Sequence, residues 1–477
     1  MLLRELLGDA AGDAPDVEIT ALAYDNRVVA PGTLFFCVPG FTRDGHDFAP
    51  DAVARGASAL VVERELGLGV PEVRVPDVRA AMAPAAAALA GDPTAHMTAV
   101  GITGTNGKTT SAYLVRALLE AGGHRTGMLG TVTAIVGGEA APMVRTTPEA
   151  IDLQRTFARM RDAGDEAVVM EVSSHALALH RADAIHWDAA VFTNLTQDHL
   201  DFHAGMEDYF AAKRMLFVGE PRPPIAVVNV DDPWGARLAT ELPGAITIGL
   251  DSDAADLRAK VLEADASGTT FEADGLRLRV AMPGRFNVLN ALGAVAVARA
   301  LGVGGDAIAG ALPRADRVPG RFEAVEAGQD FTVVVDYSHT PDSIENVLRA
   351  ARELADGRVL VVFGAGGDRD RAKRPLMGAA AAAGADVAIV TSDNPRSEDP
   401  VAIIDQVAAG MAGGASIERI PDRRAAIERA VALAGPGDVV VVAGKGHERG
   451  QELAGGEKLP FDDVEVSREV LRARVAG

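Results

Sequence analysis

Apolar positions along the chain fall into short continuous runs separated by stretches of helical period. TLFFCVPG (33–40) and ASALVVER (57–64) read as strands within a mixed opening segment. MTAVGI (97–102), EAVVMEVSS (166–174), DAAVFTNLT (188–196) and PIAVVNVDD (224–232) follow the same plan, each apolar run ending in polar residues. SAYLVRALLEAGG (111–123) is amphipathic and predicts a helix closed by Gly122. From 319 onward the alternation is clearest. FTVVVDY, GRVLVVFG, DVAIVTS and DVVVVAG predict strands, with helices near 342–355, 371–384, 400–412 and 422–434. MGAAAAAGAD (377–386) is simple in composition but reads as part of a packed helix. Strands alternating with helices predict parallel sheets with crossover helices.

Breaks in the pattern divide the chain into three. A helix ends near Gly91 and Pro93 marks a linker, and DRVPGRFE (316–323) is a Pro/Gly hinge candidate near Val318–Gly320. The predicted fold is therefore α/β: a small α/β domain over 1–95, a central phosphate-loop domain with a mostly parallel sheet over 96–318, and a Rossmann-like doubly wound domain over 319–477.

Composition narrows the function. The 477 residues are 48% hydrophobic, enough for several cores. A net charge of −21 argues against nucleic acid and membrane surfaces as partners, since both are polyanionic. The single cysteine, Cys37, permits no disulfide within the chain. The acidic N-terminal stretch lacks a signal-peptide core, and no apolar run approaches a membrane span of about 18 residues. A soluble cytoplasmic protein is the expectation.

The chemistry centres on GTNGKTT. A phosphate loop needs main-chain N–H groups facing the phosphate, a lysine and a hydroxyl for Mg2+. Gly104, Thr105, Asn106, Gly107, Lys108, Thr109 and Thr110 supply them, between a predicted strand and a predicted helix. Glu171, Asp198 and His199 each follow a predicted strand, and Glu171 is the leading carboxylate for Mg2+. Read alone, His199 could also be a structural histidine at a helix start. In the third domain DYSH (336–339), GAGGDR (364–369), DNPR (393–396) and GKGHE (444–448) all follow strands, so one crevice at the carboxyl edge is expected to gather them. Read alone, DNPR is also a plain turn before the helix at Pro400.

These motifs together, with RTTPE, EVSSHAL, TNLTQDHLDFH, YFAAKRMLF, GRFNVLNAL and RVPGRFE in order, resemble the Mur ligases. These are ATP-dependent amide-forming enzymes of bacterial cell-wall precursor synthesis. Within the family the chain is similar to those that add the third residue of the peptide. The resemblance implies ATP at Gly104–Thr110, with Asn287 and Asn290 near adenine and Arg321 and Asp336 reaching the nucleotide. It implies Mg2+ held by Thr109, Glu171, His199 and a CO2-derived carbamate on Lys213, a residue that otherwise reads as a surface lysine. It implies UDP-MurNAc-L-Ala-D-Glu held by Tyr24, Asn26, Phe41, Thr42, Arg43, Thr146, Thr147, Ser173, Leu179 and Arg181. It implies meso-diaminopimelate held by Arg369, Asp393, Asn394, Pro395, Arg396, Gly444 and Glu448, with Lys108, Glu171, His199 and Lys213 carrying the chemistry. A monomer with an opening and closing third domain is implied. Three positions depart from the family: Asn26 for Ser, Leu179 for Gln and Ser338 for Ala. Three alternatives remain: L-lysine as the added residue, a folylpolyglutamate-synthase-like ligase, and a non-enzymatic nucleotide-binding regulator.

Overall fold

The structure is a computed structural model that describes residues 1–143 and 145–476. The chain forms two compact units. One comprises Met1–Thr103, Gly123–Ala190 and Ala212–Ala226; the other comprises Gly104–Gly122, Val191–Ala211 and the chain from Val227 onward.

The first unit opens with a four-stranded parallel sheet, ordered Ala21–Ala23, Thr33–Phe36, Ala57–Val62, Glu72–Arg74. Alternate residues supply its two faces. Leu34, Phe36, Ala59 and Val61 pack with Val78 and Met82 of the helix Val78–Leu89, whereas Phe35, Cys37, Leu60 and Val62 pack with Ala49 and Ala52. Asp77 caps that helix, accepting from the N–H groups of Arg79 and Ala80. The strands Thr98–Thr103, Ala167–Glu171 and Thr126–Leu129 follow in parallel register. Thr133–Val136 and Glu139–Pro142 extend them as an antiparallel hairpin.

In the second unit Val227–Asn229 pairs in parallel with Ile246–Ile248, and the strand Ile246–Gly249 pairs with Leu257–Arg258. The expected alternation with helices then breaks. Lys260–Asp265, Gly268–Ala273 and Leu276–Val280 form an antiparallel meander. Asp274 and Gly275 join its last strands with φ of 51° and 70°, the left-handed pair that a two-residue turn needs.

The predicted doubly wound sheet is present. Its order is Glu323–Ala324, Thr332–Asp336, Val439–Ala443, Val359–Phe363, Val387–Val390, Ser416–Arg419, parallel except at the first, antiparallel strand. Helices cover both faces, which is why its four central strands are mainly apolar, whereas the edge strand Ser416–Arg419 is largely polar and exposed. Val334, Val361, Val390 and Val441 face Ile344, Met377 and Ile404; Val335, Val362, Ile389 and Val442 face Ile427, Val431 and Leu471. The helices Pro341–Leu354, Lys373–Gly384, Pro400–Ala408 and Arg423–Leu433 lie within two residues of their predicted starts. Among the described residues no helix is long and apolar enough to cross a membrane.

Candidate active site

The phosphate-loop sequence turns where it was predicted to. The strand Thr98–Thr103 ends, the loop runs through Gly107, and a helix covers Lys108–Ala121. Thr105 N–H donates to the Asn194 carbonyl at 2.9 Å, and Asn106 N–H to Asn194 Oδ1 at 2.9 Å. Lys108 Nζ donates to the carbonyls of Gly104 and Thr105, both at 2.8 Å, which holds the ammonium against the loop. Gly107 has φ of 87°, and a Cβ there would lie 2.3 Å from Asn290 Oδ1. Asn290 is itself fixed, donating to Asn287 Oδ1 at 3.3 Å and accepting from Ser111 Oγ at 3.4 Å. Gly107→Ala combines a left-handed alanine, costing about 1–2 kcal/mol, with that clash. It is expected to lower the thermal midpoint and weaken nucleotide binding, read by scanning calorimetry with and without ATP.

Beside the loop lies a charged cluster. Asp198 is buried and accepts from Lys373 Nζ at 2.9 Å; His199 Nε2 and His339 Nε2 stand 3.5 and 3.7 Å from its other oxygen. Burial alone would raise the Asp198 carboxyl, but the Lys373 ammonium and the two histidines hold it well below the ordinary carboxylate range. Asn106 donates to Asp342 Oδ2 at 2.9 Å, and Arg321 Nη2 to Thr109 Oγ1 at 3.3 Å. The Arg321 guanidinium lies 4.2 Å above the Tyr337 ring, a cation–π contact. Asp336 accepts from Phe322 N–H at 2.7 Å and Ser338 N–H at 2.8 Å, and from the Ser338 hydroxyl, so the serine that departs from the family adds a bond to this carboxylate. Asn287, Asn290, Arg321, Asp336 and His199 thus belong to the same unit as the loop. Sequence reading missed Lys373 and Asp342. Lys373 had a signal, since it lies four residues beyond the GAGGDR stretch (364–369).

Four polar clusters follow adjacent parallel strands and interlock. Gly367 N–H donates to the Asn394 carbonyl at 2.8 Å, and Gly444 N–H to the Asp336 carbonyl at 3.0 Å. Asn394 Nδ2 donates to Glu448 at 2.8 Å, while the buried Lys445 donates to Asn394 Oδ1 and Glu448, both at 2.9 Å. Gly444 has φ of 119°, and a Cβ there would lie 2.5 Å from Asp393 Oδ2. Arg396, also left-handed at φ 51°, donates from Nε to Glu452 at 2.9 Å and from Nη1 to the Gly367 carbonyl at 2.8 Å. Pro395 carries the turn between Asn394 and Arg396, and Arg369 is exposed. Burial, with the charges of Arg321 and Lys445, pushes His447 down to about 4, so it is neutral at pH 7.

The remaining predicted residues belong to the first unit. The Glu171 carboxylate is buried and accepts from Thr131 N–H at 2.6 Å and Thr131 Oγ1 at 3.1 Å. Thr131 Oγ1 also meets Thr146 Oγ1 at 3.1 Å, and Thr147 Oγ1 donates to the Glu171 carbonyl at 2.9 Å. Ser173 caps the short helix Ser174–Ala178, and Leu179 ends it. Arg181 donates to the buried Glu149 at 2.8 Å; Arg79 reaches that carboxylate at 2.9 Å and Arg145 at 3.2 Å. Three guanidiniums on one carboxylate leave a local surplus of positive charge. It suits an anionic substrate in a chain of net charge −21. Tyr24 donates to Asp152 at 2.6 Å, and Asn26 Nδ2 to Asp51 at 2.7 Å, which engages one of the two Asn26 amide N–H donors. Phe41, Thr42 and Arg43 are exposed. Lys213 corrects an expectation: it is 1% exposed, not a surface lysine.

Among the described residues no three His, Cys, Asp or Glu side chains form a preassembled metal cluster. The donor chemistry nonetheless suits Mg2+. Each unit taken by itself offers hard oxygens: the second has the Thr109 hydroxyl, and the first has the Glu171 carboxylate, which sits in a cradle where a Cβ on Gly130 would lie 2.5 Å from its Oε1.

Similarity to known proteins identifies the family. The Mur ligase middle domain matches residues 102–298, the Mur ligase glutamate ligase domain 320–446, and the Mur ligase family catalytic domain 18–90. The UDP-N-acetylmuramoyl-L-alanyl-D-glutamate–2,6-diaminopimelate ligase of Geobacillus thermodenitrificans is 48% identical over 486 residues, spanning 99% of each chain. The chain belongs to the Mur ligase family. The Streptomyces coelicolor enzyme of the same name is 46% identical, covering 98% of this Mur ligase and 96% of that one. A solved ligase of that name superposes with a TM-score of 0.68 at 33% identity, over 96% and 95% of the two chains. The MurF ligase of Thermotoga maritima, solved with ADP, shares the fold at 20% identity, with a TM-score of 0.67 over 96% and 98%. The family is ATP-dependent and uses Mg2+, in keeping with the loop and the oxygen donors.

Proposed function

We propose that this Mur ligase joins meso-diaminopimelate to the γ-carboxylate of the D-glutamate in UDP-MurNAc-L-Ala-D-Glu, at the expense of ATP. The observation that carries the choice of amino acid is Arg396, presented by the DNPR turn at the carboxyl edge of the third-domain sheet. A guanidinium there answers the distal carboxylate of diaminopimelate, which L-lysine lacks, and would repel the lysine ammonium.

The chemistry takes two steps. A carboxylate oxygen attacks the γ-phosphorus of ATP, the bond to the β-phosphate oxygen breaks, and ADP leaves. The neutral amine of diaminopimelate then attacks the acyl phosphate carbon; the amide forms, and inorganic phosphate and a proton depart. Lys108 and the N–H groups of the loop hold the transferring phosphate and its charge, with Arg321 as a second cation. Mg2+ held by Thr109, Glu171 and His199 would add charge neutralisation and orientation of the phosphates. Asn287 and Asn290 would bound the adenine, and Asp336 would meet the nucleotide. Thr146, Thr147, Ser173 and Arg181 would hold the dipeptide, and Tyr24, Asn26 and Phe41–Arg43 the uridine end. Asp393, Asn394, Gly444 and Glu448 would complete the diaminopimelate site, with Arg369 at its exposed margin.

Lys213 is proposed to be carbamylated, which would turn a cation into a carboxylate able to serve a second Mg2+. Its burial supports this, since a lysine shielded from bulk water can take a role in covalent chemistry. A cytoplasmic monomer is part of the same reading, as is closure of the third domain about Val318–Gly320.

The test is phosphate release with ATP, Mg2+ and UDP-MurNAc-L-Ala-D-Glu, offering meso-diaminopimelate and L-lysine separately. Turnover with diaminopimelate alone is expected. Turnover with lysine would keep the ligase and remove the role of Arg396. Turnover with neither, from folded protein that binds ATP, would overturn the reading.

A further inference from the structure

Arg396 is not idle in this structure. Its Nε donates to Glu452 at 2.9 Å, and Glu452 lies on the hairpin Gly450–Glu452 and Lys458–Pro460, outside every motif described above. The main chain and side chain of Glu452 do separate jobs. Its N–H donates to Asn394 Oδ1 at 3.0 Å and its carbonyl accepts from Arg396 N–H at 3.1 Å, so the main chain fastens the hairpin to the DNPR turn. Among the described residues its carboxylate bonds two cations, Arg396 and, at 3.1 Å, Lys458.

Two other arginines at this edge show what a structural pair looks like here. Arg374 is buried and bonds Glu398, Gln406 and the Gly366 carbonyl. Arg423 is buried and bonds both oxygens of Asp463. The Arg396 and Glu452 side chains are instead 24% and 33% exposed and share one hydrogen bond. Water screens such a pair, and it exchanges partners readily. Arg396 also keeps its aim without Glu452, through Nη1 and the Gly367 carbonyl at 2.8 Å.

We propose that the Glu452 carboxylate is a specificity-tuning surrogate ligand: it occupies the Arg396 guanidinium in the way a substrate carboxylate would, and an incoming distal carboxylate must displace it. A guanidinium grips a carboxylate best through two parallel N–H donors, and Glu452 takes one donor of such a pair. The surrogate therefore weakens binding of the amino acid that Arg396 selects. It also offsets the cationic charge that repels a lysine ammonium, so Glu452 lowers discrimination from both sides. Burial alone would raise the Glu452 carboxyl, but Lys458 and Arg396 bring it below the ordinary value, and it is ionised where the enzyme works.

The inference rests on the diaminopimelate reading, and the experiment separates the two. Steady-state phosphate release is measured for the full chain and for Glu452→Gln, varying meso-diaminopimelate, ATP and the UDP-dipeptide in turn. The KM for diaminopimelate is expected to fall about fivefold, the scale of one exchanged surface ion pair, while the KM for ATP and for the UDP-dipeptide hold. Glu452→Ala, which cannot accept a hydrogen bond, is expected to move the same way. A loosened hairpin would do the opposite and raise the KM for diaminopimelate. A diaminopimelate KM unchanged or raised in both variants, in an enzyme whose parent turns over diaminopimelate, overturns the surrogate role alone. A parent that fails to use diaminopimelate overturns the substrate reading and the surrogate role with it.

Discussion

Lys108→Met is expected to lower ADP formation by about a thousandfold while leaving the protein folded, the loss typical when a main electrostatic contact to a transferring group is removed. Phosphoryl transfer asks little covalent chemistry of a protein, so positioning and charge carry most of the rate. The Lys108 amine is the cation anchored to the loop itself, through the carbonyls of Gly104 and Thr105 at 2.8 Å. Methionine keeps the length and apolar stem of the side chain and removes only the ammonium. The helix Lys108–Ala121 should keep its packing, because its buried apolar residues are Ala112, Leu114, Val115, Leu118 and Leu119, not Lys108. Circular dichroism should therefore match the parent, and ATP should still bind more weakly through the main-chain N–H groups and Arg321. Retention of most of the turnover would mean that the loop binds nucleotide without serving the chemistry.

The loop could be read in advance because its constraints are local. Gly107 at φ 87°, the lysine and the threonines are neighbours in sequence and in space. The same holds for the doubly wound sheet, whose apolar strands and amphipathic helices each announce their own kind. What escaped was set by distance along the chain or by a pattern read too coarsely. The Asp198–Lys373 pair joins residues 175 apart, and Arg79–Glu149 joins residues 70 apart. No spacing rule brings such partners together. Lys213 is different, because its signal was present. Tyr209, Lys213, Leu216 and Phe217 recur at helical spacing in Met206–Val218 and all are buried, so the lysine lies on the apolar face. The meander over 260–280 was likewise legible: Thr269, Phe271 and Ala273 alternate with polar or exposed neighbours, and Asp274-Gly275 is a strong hairpin signal. Expecting helices between all strands hid it.

Asp463→Ala should be the most damaging single change to stability in the third-domain sheet. Arg423 and Asp463 each have fully buried side chains, and two parallel bonds of 2.8 and 2.7 Å join them. They stand at the starts of the helices Arg423–Leu433 and Asp463–Ala476. The guanidinium also donates to the carbonyls of Ala443 and Ser392, which immediately precede Gly444 and Asp393. Removing the carboxylate leaves a buried, uncompensated cation, a loss of about 3–5 kcal/mol. At about 2–4 °C per kcal/mol for domains of this size, the thermal midpoint should fall by about 6–20 °C. The KM for the amino acid should rise as well, since the same guanidinium steadies the strand ends that carry both recognition loops. An apolar pair tests the cause. Arg423→Met with Asp463→Leu removes both charges and fills much of the space, and buried ion pairs replaced in this way commonly lose little stability. The double variant should recover most of the midpoint lost in Asp463→Ala. It should not recover the KM, because the bonds to the Ala443 and Ser392 carbonyls are gone. If the double variant melts as low as the single one, packing around Asp463, rather than the stranded charge, holds the two helices together.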